Sequence, residues 1–198
     1  WEGCYDEGEL ISASLENLSF QEEAAALGAE RIAKQVLEEL AREDAAAATY
    51  FSTRPAHETY FLKYWQESEQ ASLVSLARSW MSNEGDWKTR LGNYGYSSLF
   101  WLSRGNKGAR IRKYYCGERV LLALASGNIR YFLELIDTAI QYEIKPGDVP
   151  SRTLCITPKS QTYAARDVGG RRLSQLEGLA EKGVQLKRLV LAIGKVFF

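Results

Sequence analysis

Residues 126–135 read Ser-Gly-Asn-Ile-Arg-Tyr-Phe-Leu-Glu-Leu, and their types and order suit chemistry better than any other stretch of this 198-residue chain. Gly127 allows a tight turn, Asn128 is a residue type that caps a helix, and Arg130 falls in the first turn of the helix that follows. An arginine fixed there presents a planar guanidinium fork that can grip a phosphate with two hydrogen bonds. The plainer reading is a helix–turn–helix corner whose arginine makes a surface pair. Other constellations are missing. His57 is the single histidine and sits beside Tyr60 and Phe61, the setting of a packing residue. No glycine-rich P-loop with its lysine occurs. Cys4, Cys116 and Cys155 are too few and too scattered for a zinc knuckle or a disulfide framework. Glu22/Glu23 and Glu38/Glu39 are adjacent on helices and point to different faces, so they are solvated charges and not a catalytic dyad. No catalytic or metal-ligating set is predicted.

The elements around this corner read as helices. Ser19-Phe20-Gln21-Glu22 is a capping box opening a helix to about Ala48, with Leu27, Ile32, Val36, Leu37 and Leu40 on one stripe. Pro55 starts a second helix that carries Tyr60, Phe61, Tyr64 and Trp65. A third covers Ser72–Ser82; a loop then leads to a short buried helix over Tyr96–Ser103. Helices follow over Lys113–Ala125 and Ile129–Tyr142, and Lys145–Pro150 is the best linker in the chain. Beyond it, Thr157-Pro158 opens a helix to about Asp167, Gly169-Gly170 is the turn, Arg171–Lys182 is the next helix, and a third begins at Gln185. No window shows a convincing strand alternation, so the fold class is all-α: a helical bundle, a linker and a short three-helix module.

Charge sharpens that division. Residues 1–150 hold 16 Lys+Arg and 22 Asp+Glu, giving −6, whereas residues 151–198 hold 9 Lys+Arg against 3 Asp+Glu, giving +6. A compact basic module suggests a polyanionic partner, most often nucleic acid. The alternative is that the basic part docks on the acidic part, or that its lysines solvate helix faces. Arg104, Lys107, Arg110, Arg112 and Lys113, interleaved with Gly105 and Gly108, form a second basic run suited to a DNA-facing or subunit-facing loop. No run approaches the roughly 18 apolar residues of a membrane span, which excludes a transmembrane protein. The acidic start is no signal peptide, and disulfide-poor composition points to the cytoplasm. Trp1 in place of a starting methionine, and the apolar end at Val196-Phe197-Phe198, lead us to expect a piece of a longer protein.

The Gly127-Asn128-Ile129-Arg130 segment closely resembles the sensor-2 motif that opens a lid helix in AAA+ ATPases of the initiator type, the origin-recognition relatives. The apolar helix before it, with Leu121-Leu122-Ala123-Leu124-Ala125, is similar to the helix preceding sensor 2 in such lids. Ile156, Gln161–Ala165, Leu186, Leu189 and Ile193–Phe197 look like the opening of the winged-helix region that follows. The resemblance covers residues 113–198 and implies an AAA+ lid-like helical domain over 1–145. It further implies a basic helix-turn-helix or winged-helix-like module, truncated in this chain, over 151–198. It assigns nucleotide sensing to Arg130, Asn128 and Gly127. ATP and Mg2+ would be held by a P-loop domain absent from this chain, so the parent protein would be the ATPase and this chain alone would carry no cofactor. Double-stranded DNA is the implied partner, with Lys159, Arg166, Arg171, Arg172, Lys187 and Arg188 as its contacts. Assembly into a homo-oligomer is a further possibility. The competing function is a non-enzymatic helical adaptor presenting Tyr60, Phe61, Tyr64, Trp65 and Trp80 to a protein partner, although such a stripe at helical spacing is more often core.

Overall fold

The computed structural model of the chain describes residues 2–5, 9–104, 111–144, 153–179 and 181–197. The expected linker at 145–150, Lys107 and Arg110 of the second basic run, and the side chain of Lys195 lie outside the described residues. Three strands and ten helices form among those described. They are β1 (Glu2–Tyr5), β2 (Glu9–Leu15), α1 (Phe20–Ala26), α2 (Ala29–Glu43), α3 (Ala45–Ser52), α4 (Ala56–Glu69), α5 (Leu73–Met81) and α6 (Trp87–Leu102). They continue with α7 (Glu118–Ala125), α8 (Ile129–Glu143), β3 (Thr153–Ile156), α9 (Pro158–Leu179) and α10 (Gly183–Phe197). The all-helical class holds, and no described helix is long and apolar enough to cross a membrane.

The chain divides into two compact units, one made of Ser19–Lys113 and the other of Trp1–Leu18 with Tyr114–Phe198. In the first, Val36, Leu40, Phe51, Phe61, Leu62, Leu73, Leu76 and Trp87 form one buried cluster, and Tyr60 joins Ala24, Ala29, Leu99 and Leu102 in another. Tyr64, Trp65 and Trp80 pack against the first cluster, so the aromatic stripe is core, as its helical spacing suggests. The capping box forms as expected, with Ser19 N donating to a Glu22 carboxylate oxygen at 2.8 Å and Glu22 N donating to Ser19 Oγ at 3.3 Å. The single helix expected over 20–48 is three helices instead. Gly28 turns the chain in the left-handed region at φ 97°, and Asp44 starts α3 by accepting from Ala47 N at 3.1 Å. Conversely, α6 is one helix where a loop and a short helix were expected. Gly95 lets the Phe20 ring approach so closely that an added Cβ would lie 3.1 Å from it.

The second unit contains the corner at Arg130. Its sheet departs from the strand-free expectation: β1 pairs antiparallel with β2, and β2 pairs parallel with β3 in the register Ser12↔Thr153 to Leu15↔Ile156. Ala13, Leu15 and Leu154 pack on a core of Leu121, Ile136, Ala139, Ile140, Ile156 and Ala164. The expected division between 1–145 and 151–198 falls inside this unit, because β3 completes the sheet of the N-terminal strands and α9 packs on α8.

The expected turn at Gly169-Gly170 is also corrected. α9 runs unbroken from Pro158 to Leu179, so the described residues of 151–198 hold two helices where three were expected. Two helical glycines cost about 2 kcal/mol relative to alanine. Val168 just before them is buried with Leu135 and Ala125, and Arg171 just after them is tied to Glu134 on α8. Packing on both sides outweighs that cost.

Candidate functional site

The corner between α7 and α8 is set by local geometry. Ser126 and Gly127 both take left-handed conformations, at φ 49° and 75°, and reverse the chain within two residues. Asn128 then caps α8. Its side-chain oxygen accepts from Arg130 N at 3.0 Å, while its carbonyl accepts from Tyr131 N and Phe132 N, each at 3.1 Å. Leu135, Ile136, Ala139 and Ile140 bury the inner side of α8, which fixes its first turn relative to α7. The three residues expected to act together are therefore adjacent, with Gly127 and Asn128 shaping the turn that holds Arg130.

Arg130 is exposed, and its guanidinium has no hydrogen-bond or ion-pair partner among the described residues. The positive end of the helix dipole opposes a cation in the first turn, so the arginine gains nothing from its own helix there. An anion placed beside it would gain from both the guanidinium and the helix end. The nearest acidic residue at pairing distance along α8 is Glu134, one turn on, but both of its oxygens are engaged by α9. Oε1 lies 3.3 Å from Arg171 Nη2, and Oε2 pairs with Arg172 Nη2.

The six expected DNA contacts fall into two groups. Arg171 and Arg172 pair with Glu134, and Lys187 Nζ lies 2.9 Å from Glu177. For Arg171 and Arg172 this is the alternative weighed from charge, the basic part docking on the acidic part, whereas Lys187 pairs within residues 151–198. Lys159 and Arg166 are exposed on α9, seven residues apart and so nearly on one face, and Arg188 is exposed on α10. None of these three has a carboxylate partner among the described residues. In the second basic run, Lys113 Nζ is 2.6 Å from the buried Glu23 carboxylate, so that lysine anchors its own unit.

A buried polar cluster missed from the sequence positions the corner. Gln161 is fully buried, and its Nε2 donates to the carbonyls of Glu16 and Ile156, both at 2.8 Å. Its Oε1 accepts from Gly117 N at 2.7 Å, immediately before α7. Thr162 Oγ1 accepts from Tyr115 N at 3.0 Å and donates to Pro158 O at 2.7 Å. Together they tie the end of β2, the end of β3 and the entry to α7 onto one turn of α9. Glu143 at the end of α8 accepts from Thr157 N at 2.9 Å and Thr157 Oγ1 at 2.8 Å. Burial pushes its carboxyl pKa up, but hydrogen bonds from Thr157 and Ser160 together outweigh this and hold it below the usual value.

An exposed guanidinium at a capped helix start is a group that can meet one phosphate. The sequence has no P-loop, and among the described residues no group of three His, Cys, Asp or Glu side chains could bind a metal ion. A protein-family model described as ORC-CDC6-like matches residues 3–198. Comparison with curated proteins and with solved structures gave no match.

Proposed function

The chain belongs to the ORC-CDC6-like family, and from that premise we propose that it supplies the lid of an initiator-type AAA+ protein together with a basic face for duplex DNA. In this reading Arg130 meets a phosphate of ATP, and the nucleotide and its Mg2+ are held by a P-loop domain outside this chain. Asn128 and Gly127 are the positioning residues. Lys159, Arg166 and Arg188 are the cations available to DNA phosphates at once, while Arg171, Arg172 and Lys187 must first leave carboxylate partners. The observation that carries the reading is the exposed guanidinium of Arg130 at the capped start of α8, without a partner among the described residues, in a chain matched to this family over residues 3–198. Within the aromatic stripe of the adaptor alternative, Tyr60 and Phe61 are fully buried, which favours the first reading.

The test is ATP turnover by the full-length gene product. Losing a charge-assisted hydrogen bond of roughly 1.5–3 kcal/mol from the transition state lowers the rate by about one to two orders of magnitude. Arg130→Ala is therefore expected to slow turnover by at least about tenfold. Turnover unchanged by that substitution refutes the sensing role.

A further inference from the structure

Glu134 lies in the middle of α8, and one carboxylate serves two guanidinium groups on α9. Oε1 lies 3.3 Å from Arg171 Nη2 and Oε2 pairs with Arg172 Nη2. Arg171 Nη2 also donates to Thr138 Oγ1 at 3.1 Å, with Asp167 Oδ2 3.9 Å from Nη1. The Arg172 guanidinium lies 4.3 Å from the centroid of the Tyr131 ring and donates from Nη1 to Gln175 at 2.9 Å, yet its Nε is buried with no hydrogen-bond partner among the described residues. The cluster is half open to water, the side chains of Arg171, Arg172 and Glu134 being 48%, 37% and 26% exposed. Among the described residues it is short of negative charge, because Arg130, one turn before Glu134 on α8, has no counter-ion there.

We propose that Glu134 is an intramolecular stand-in for a DNA phosphate, holding Arg171 and Arg172 so that they engage a duplex only by exchanging this carboxylate for backbone phosphates. The inference rests on the duplex-binding reading above and adds its regulation. A carboxylate and a phosphate offer the same acceptor geometry to a guanidinium fork. Partly exposed ion pairs are weak and screened by salt, so exchange is open to a phosphate where a fully buried pair would be locked. The device lowers affinity for DNA in general and reserves the arginine pair for a site that presents two phosphates in register.

The experiment measures binding of a labelled mixed-sequence duplex to the full chain as a function of salt. It compares the wild type, Glu134→Gln, Glu134→Gln with Arg171→Ala and Arg172→Ala, the two arginine substitutions alone, and Asp137→Asn. Asp137→Asn removes the same charge from the same helix without touching the pair. Circular dichroism melts confirm that each variant is folded. Glu134→Gln is expected to tighten binding by about tenfold, equivalent to about 1.4 kcal/mol. That gain should vanish when Arg171 and Arg172 are alanine, and Asp137→Asn should not reproduce it. Wild-type binding with no gain from Glu134→Gln overturns the proposal and leaves duplex binding standing. An equal gain without the arginines, or from Asp137→Asn, overturns it as a general charge effect. No binding by any variant overturns the duplex reading itself.

Discussion

Replacing Gln161 by leucine tests whether the corner at Arg130 is held by the buried polar cluster. The side chain is fully buried and makes three hydrogen bonds, at 2.7, 2.8 and 2.8 Å. Leucine keeps most of the volume and removes all three. The consequences differ by partner. Ile156 O keeps a bond from Glu16 N at 3.1 Å, and Glu16 is exposed, so water can reach its carbonyl. Gly117 N–H is left buried and unpaired. One orphaned buried donor costs about 1–3 kcal/mol, and the lost net value of the other two bonds brings the expected total to about 2–4 kcal/mol. For a unit of about this size that lowers the melting midpoint by roughly 10–20 °C. Gln161 and its partners lie in the unit of Trp1–Leu18 and Tyr114–Phe198, whereas Trp65, Trp80, Trp87 and Trp101 lie in Ser19–Lys113. Tryptophan fluorescence therefore reports mainly on the unit without the substitution, and far-ultraviolet circular dichroism reports on both. The dichroism melt of Gln161→Leu should show an early transition while the fluorescence transition stays in place. A melt coincident with the wild type, or fluorescence shifted as far as dichroism, refutes the reasoning.

Three further outcomes follow from the geometry. Burial raises the Tyr60 phenol to about 12. With the folded value above the ordinary 10, the folded state keeps a proton that the unfolded chain loses, so this stability is complete below pH 10 and is lost as pH rises toward 12. The loss amounts to at most roughly 3 kcal/mol, and denaturant midpoints for Tyr60→Phe should fall less steeply over that window than those of the wild type. Parallel falls would contradict the burial argument. Asn128→Ala removes the cap of α8 and should cost about 1 kcal/mol in chemical unfolding followed by dichroism. No measurable change would mean that Asn128 does not hold the start of the helix. Lys159→Ala with Arg166→Ala should flatten the dependence of log duplex affinity on log salt by up to about 1.8, two phosphate contacts at about 0.9 each. An unaltered slope removes both residues from the interface.

What was legible in the sequence was local. The Ser19 capping box, the Thr157-Pro158 helix start and the Asn128 cap each depend on residues within three positions of one another, and all three form. The division of α1 from α2 and α3 was less visible, because the alanine-rich run outweighed Gly28 and Asp44 in any reading of propensity. Elements that rest on distant partners escaped. In β2, Ser12 and Ser14 alternate with Ile11, Ala13 and Leu15, a signal that was present but short, and β3 has only four residues. Their pairing joins segments far apart in the chain, which no window can display. Gly169-Gly170 read as a turn because the burial of Val168 and the anchoring of Arg171 are tertiary. The clustering of positive charge could be read directly, but not that Glu134 would take up two of the arginines. Nothing in the sequence marked Gln161 as a buried hydrogen-bonding residue, since a buried glutamine is recognisable only from the backbone groups it meets.

The central claim is that Arg130 meets a nucleotide phosphate, and the most direct test is the affinity of the full-length gene product for ATP and for ADP, with and without Arg130→Ala. The substitution is expected to weaken binding of at least one nucleotide by about tenfold or more, the value of one charge-assisted contact. The melting behaviour of the protein should not change, because the exposed guanidinium has no partner among the described residues to lose. Unchanged affinity for both nucleotides would contradict the account and leave the corner as a structural turn with a solvated arginine.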